Sequence, residues 1–84
     1  MHLFFRTSDG QEIDLLIETS KDLYAIEIKL SSNPSNSDLD TLRKAGALIG
    51  ATKHVLISRS KEHYEAKGLV STNLADLLKR RVIR

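Results

Sequence analysis

Eighty-four residues make at most one small domain, and without a cysteine it has neither disulfides nor thiolate metal sites to support a modest core. The net charge is only +2, and the positive excess sits mostly in the closing KRRVIR, so an anionic partner gains little support from charge alone. No apolar run approaches the ~18 residues of a membrane span and nothing resembles a signal peptide, which leaves a cytoplasmic, reducing setting as the expectation.

In chain order, HLFFR and EIDLLIE flank TSDGQ, where Gly10 after Asp9 suits a tight turn that demands positive φ. Two antiparallel strands are expected, about 3–7 and 11–18. LYAIEIKL, after the break at 19–22, gives a third and completes a meander. The turn-rich SSNPSNS then leads into a helix over about 38–50, with Ser37 as N-cap and Asp40 three residues on. Leu39, Leu42, Ala45 and Ile49 share one face of that helix, and Gly50 suits its end.

KHVLIS reads as a short buried strand, RSKEHYEAKG as a polar stretch with room for one helical turn, and GLVS as a short edge strand. Asn73 caps a final helix whose Leu74, Leu77, Leu78 and Val82 fall on one side. The order βββαβ(β)α describes an α/β sandwich with a mixed sheet.

Alternation along the third strand puts Ala25, Glu27, Lys29 and Ser31 on one face, opposite Tyr24, Ile26, Ile28 and Leu30. In the strand before it, Ile13, Leu15 and Ile17 form the apolar set. Pairing of the two brings Asp14 beside Glu27. Two neighbouring carboxylates repel, and a divalent cation with oxygen ligands relieves that repulsion. Mg²⁺ accepts one or two carboxylates and keeps waters for a phosphate-bearing substrate. Lys29 is then placed to position and help deprotonate an attacking water. Spacing alone also fits a solvent-facing acid–lysine pair worth ~0–1 kcal/mol.

The run FFRTSDGQEIDLLIETSKDLYAIEIKLSS resembles the core of a domain of unknown function found C-terminal to the ATPase module in a prokaryotic AAA+ ATPase family. That domain is placed in the PD-(D/E)xK nuclease-like superfamily. An aromatic-Arg strand, a turn, Glu-x-Asp, a spacer and Glu-x-Lys match here as Phe5, Arg6, Glu12, Asp14, Glu27 and Lys29. The first 32 residues or so carry the match; the remainder follows it by element order only. No proline precedes Asp14, and the superfamily's opening helix has no counterpart before Met1.

The resemblance implies a restriction-endonuclease-like core and a candidate Mg²⁺-dependent hydrolysis of nucleic acid. It implies Asp14 and Glu27 as metal ligands, Lys29 as the catalytic base or water-orienting group, and Glu12 and Arg6 as auxiliaries. It also implies that residues 1–84 are one domain, the C-terminal portion of a longer ATPase chain. The alternative is a non-catalytic docking or dimerisation module of that ATPase. ATP itself has no P-loop to bind here, since no G-x-x-x-x-G-K-[ST] stretch exists.

His2, His54 and His63 form no zinc-binding spacing, and Ser58 and Ser71 lack recognisable His–Asp partners. Lys79, Arg80 and Arg81 suit nucleic acid but equally offset a helix dipole.

Overall fold

The computed structural model describes residues 13–84 together with the backbone of 2–5; Arg6, the Asp9-Gly10 turn and Glu12 lie outside the described residues. The strands are β1 His2–Phe5, β2 Leu15–Glu18, β3 Leu23–Ile28, β4 Lys53–Ile57, β5 Tyr64–Ala66 and β6 Leu69–Thr72. The helices are α1 Asn36–Leu48, between β3 and β4, and α2 Leu74–Lys79, at the end. One six-stranded mixed sheet has the order β1-β2-β3-β4-β6-β5. The expected meander forms its antiparallel half, and β3, β4 and β6 run parallel.

A helix covers each face of the sheet. Ala25 and Leu56 lie under α1 with Leu42, against which Leu39, Ala45 and Ile49 pack. Tyr24, Ile26, Val55 and Val70 lie under Leu77, Val82 and Ile83. Strands buried on both sides have no solvent face to give to charge, which is how a parallel core differs from a one-sided meander. Among the described residues, no helix is long and apolar enough to cross a membrane.

Several boundaries differ from the sequence expectation. Helix α1 is capped by Ser35, not Ser37. The Ser35 hydroxyl accepts from the Asp38 N–H at 3.1 Å, and the Asp38 carboxylate accepts from the Ser35 N–H at 2.8 Å. That reciprocal capping box satisfies two helix-end donors, and Ser35-x-x-Asp38 has the same spacing as Ser37-x-x-Asp40 two residues later. At the other end Gly50 takes φ +79°, as expected of a helix-terminating glycine.

RSKEHYEAKG holds strand β5 instead of a helical turn, because Tyr64–Ala66 pairs with β6 across the two-residue turn Lys67-Gly68. Both turn residues have positive φ, 48° and 78°, the conformation whose twist matches a two-residue hairpin. Strand β6 is therefore interior, between β4 and β5, and all four of its residues are buried. Asn73 does cap α2, accepting from the Asp76 N–H. Leu77 and Val82 face the core while Leu74 and Leu78 stand exposed, because the chain turns at Arg81, φ 51°, and lays its tail on the sheet.

Strand β2 also breaks its own alternation. Leu15 is the register partner of Ile26, yet the Asp14 N–H donates to the same Ile26 carbonyl at 2.8 Å. Two residues thus meet one, the signature of a β-bulge. Ile13 accordingly crosses to the α1 side, with Ala25 and Leu56, while Leu15 and Ile17 stay opposite.

Candidate active site around Glu27 and Lys29

Beyond Leu15 the bulge turns Asp14 along the edge of β3. Its carboxylate Oδ2 accepts from the Ile28 N–H at 2.8 Å and stands in for the backbone carbonyl that a continuing ladder would offer. Asp14 is exposed and joined to β3 at Ile26 and Ile28, on either side of Glu27.

Glu27 points under α1 and is only 4 % exposed. That excludes the solvent-facing acid–lysine pair as an account of this position, since an ionised carboxylate buried to this degree is costly without compensating charge or hydrogen bonds. Lys29 provides the charge: its Nζ lies 3.1 Å from Glu27 Oε2. The same ammonium lies 3.6 Å from Asp38 Oδ1, in the first turn of α1. Lys29 thus links the end of β3 to the start of the helix that follows it.

Nothing in the sequence singles out Asp38, because Ser35-x-x-Asp38 and Ser37-x-x-Asp40 are equivalent capping patterns and only the first is used. Its carboxyl is held below the usual range chiefly by the Ser35 backbone N–H, then by the Ser35 hydroxyl and the Lys29 charge, with burial working the other way. The backbone N–H of Lys29 donates to Ile57 O and that of Arg59 to Ser31 O, so pairing with β4 continues just past the site. The site therefore lies at the carboxyl ends of β3 and β4, where open α/β sheets usually bind ligands.

The chain fits one family model, described as Domain of unknown function (DUF4143), over residues 1–77. The chain belongs to that family. No curated protein and no solved structure gives a significant match to this DUF4143 domain. Of the residues expected at the site, the fold joins Glu27 to Lys29 directly and sets Asp14 against the neighbouring backbone; Arg6 and Glu12 fall outside the described residues. Among the described residues, no three carboxylate, histidine or cysteine side chains gather as a ready-made metal cage.

The other candidates in this DUF4143 domain resolve into structure. His63 lies in the loop just before β5, with its ring largely buried. Its ring lies between the Thr72 hydroxyl, 2.8 Å from Nδ1, and the Glu65 carboxylate, 2.7 Å from Nε2. Hydroxyl, imidazole and carboxylate in a row resemble a nucleophilic relay, but Thr72 is fully buried and no substrate reaches it. The string ties the 58–63 loop to the β5–β6 hairpin. His54 is buried under α1 with its pKa lowered, first by burial and then by the Arg43 charge, while a hydrogen bond with the Gly68 backbone opposes the shift. Arg80 pairs with Asp76 one turn back, Nε to Oδ1 at 3.2 Å.

Proposed function

We propose that this DUF4143 chain is a PD-(D/E)xK nuclease-like domain with a restriction-endonuclease-like core. In this reading it belongs to an AAA+ ATPase and hydrolyses phosphodiesters of nucleic acid with Mg²⁺. The observation that carries the reading is Glu27: a carboxylate withdrawn from solvent with an ammonium at 3.1 Å, at the carboxyl end of a parallel strand and next to a second acid. A buried acid with a specific charge partner in such a place is a functional-site signature.

Asp14 and Glu27 present hard carboxylate oxygens from adjoining strands, a donor set that suits Mg²⁺, which takes few protein ligands and retains water. When bound, the ion would supply Lewis-acid polarisation of a phosphoryl oxygen. Lys29, between Glu27 and Asp38, is an N–H donor. Its role here is to hold the attacking water and offset the charge that grows on the phosphate, which favours the water-orienting role over that of a base. The water oxygen forms the new bond to phosphorus as the ester P–O bond breaks, and the proton given up ends on the departing alkoxide.

The test is cleavage of plasmid DNA and of single-stranded RNA in Mg²⁺, Mn²⁺ or EDTA by the wild-type chain and by Asp14→Asn and Lys29→Ala. Asparagine keeps an oxygen for the Ile28 N–H, so Asp14→Asn preserves the backbone while weakening the metal site. Metal-dependent cleavage lost in both variants supports the reading. Cleavage unchanged in either overturns these roles.

A second reading, a docking or dimerisation module of the ATPase, draws on α2, where Leu74 and Leu78, one turn apart, are 60 % and 69 % exposed. Sedimentation velocity tests its dimer form: a concentration-dependent dimer abolished by Leu78→Glu supports it, and a monomer throughout counts against it.

A further inference from the structure

At the other end of the sheet, beside the start of β3 and the start of β4, lies a groove of about 550 Å³. Lys21, Lys53, Lys67, Arg80 and Arg84 line it, contributed by the β2–β3 turn, the first residue of β4, the β5–β6 turn, the end of α2 and the chain's tail. Cations from five separate segments converge on one concavity only because the fold brings those segments together. Its acids are Asp22 and Glu65. The groove therefore holds a formal excess of three positive charges, more than the +2 of the entire chain.

Both acids already have partners. Asp22 Oδ1 accepts from the Thr52 hydroxyl at 2.9 Å, and Glu65 Oε2 is bonded to His63. Arg80 is shared with Asp76, but among the described residues Lys21, Lys53 and Lys67 enter no ion pair. Lys67 also sits where a two-residue hairpin prefers asparagine or glycine: at φ 48° a long side chain is held in the left-handed region. The turn would form more easily with another residue, and the one present points a cation at the groove.

The floor is closed to stacking. Tyr24 is buried, and its hydroxyl accepts from the Arg84 N–H at 3.3 Å. A ligand is then held through its charge and not through an aromatic face.

We propose that this groove binds phosphate-bearing ligands through their phosphate oxygens, independently of the Glu27 site and of any divalent cation. A cluster of this size takes a pyrophosphate-like group of a small molecule or a few consecutive phosphates of a strand, and the experiment separates the two sources.

Fluorescence anisotropy of a labelled 12-nucleotide oligonucleotide is followed in EDTA at several salt concentrations, with pyrophosphate as unlabelled competitor. Pyrophosphate binding is also measured directly by calorimetry. Three variants are compared: Lys53→Glu, Lys67→Asn, and Lys44→Glu on the exposed side of α1 as the control for net charge. Lys67→Asn suits the turn and so guards against loss of fold.

The expected result is a salt-dependent affinity that falls about tenfold or more in Lys53→Glu and about three- to tenfold in Lys67→Asn, with Lys44→Glu within about twofold of wild type. Pyrophosphate that binds and displaces the strand identifies the small-ligand source, whereas oligonucleotide binding that pyrophosphate does not displace identifies the strand. Equal weakening by Lys44→Glu, or no binding of either probe at low salt, overturns the proposal. Because EDTA is present throughout, failure of metal-dependent cleavage does not affect this result.

Discussion

Replacing Gly46 by alanine tests a close approach of α1 to the sheet. A methyl group at that position would fall inside contact distance of Cδ2 and Nε2 of the His54 ring and 3.4 Å from the Ala25 Cβ. His54 is the register partner of Ala25, is 8 % exposed, and faces Gly46 of α1 across the helix–sheet layer. Alanine in a helix interior is favoured over glycine by about 1 kcal/mol. Overpacking a core costs about 1–3 kcal/mol, and this collision belongs at the upper end because a buried ring or the whole helix must move. The net expectation is a loss of about 2 kcal/mol, which for a chain of this size lowers Tm by roughly 8–16 °C. Urea denaturation followed by circular dichroism measures it through a lower midpoint at unchanged slope. In Gly46→Ala/His54→Ala the collision is gone and only the helix-propensity gain is left, so the interaction energy of the cycle should equal the collision itself, about 3 kcal/mol. A Gly46→Ala variant as stable as wild type, or more stable, would show that helix propensity governs this position and would refute the argument.

His54 also makes stability depend on pH. Burial and Arg43 lower its folded pKa below the unfolded value of about 6.5, so the unfolded chain binds the proton first as pH falls. Stability is complete above about pH 6.5 and declines below it by at most ~1.4 kcal/mol per pH unit, a slope that His54→Gln should remove from urea midpoints measured between pH 5.5 and 7.5. Ser35→Ala takes away half of the capping box and should cost about 1 kcal/mol, seen as a lower midpoint and faster amide exchange in the first turn of α1. Lys29→Met removes the ammonium 3.1 Å from a buried carboxylate. Fully buried pairs lose about 3–5 kcal/mol when one partner is truncated, and because Lys29 is itself 31 % exposed about 2 kcal/mol is expected here, most of it recovered in Glu27→Gln/Lys29→Met. An unchanged melting temperature in Lys29→Met would mean that solvent already screens the pair.

The segments whose structure is local were legible in the chain. Helix α1 shows in the spacing of Leu39, Leu42, Ala45 and Ile49, and the Asn73 cap shows because an amide side chain directly before a leucine-rich helical run has one simple use. The meander strands follow from β-branched and aromatic runs between turn residues. What failed were choices between equivalent local signals. Ser35-x-x-Asp38 and Ser37-x-x-Asp40 are both capping patterns, and only the docking of α1 on the sheet selects the first. RSKEHYEAKG carries no apolar period at all, because β5 is a short edge strand held by its pairing to β6 and by a cationic left-handed turn.

The same division runs through the candidate site. The identities and spacing of Asp14, Glu27 and Lys29, and the alternation that sets Glu27 and Lys29 on one side of the third strand, are properties of the chain, since a strand has period two wherever it lies. The burial of Glu27 is not. It depends on α1 returning over that face of the sheet after a long crossover, and no sequence period records which face a crossover helix will cover. The bulge that swings Asp14 to the Ile28 N–H and sends Ile13 to the opposite layer arises where two successive residues, Asp14 and Leu15, meet the single residue Ile26 of β3. Asp38 reaches Lys29 only through that crossover, and the five cations of the groove meet only when turns far apart in sequence stack at one end of the sheet. Sequence determined which side chains were available and the local elements that carry them; tertiary structure determined which of them share a dielectric, because burial and proximity are set by contacts between segments that the chain itself does not order.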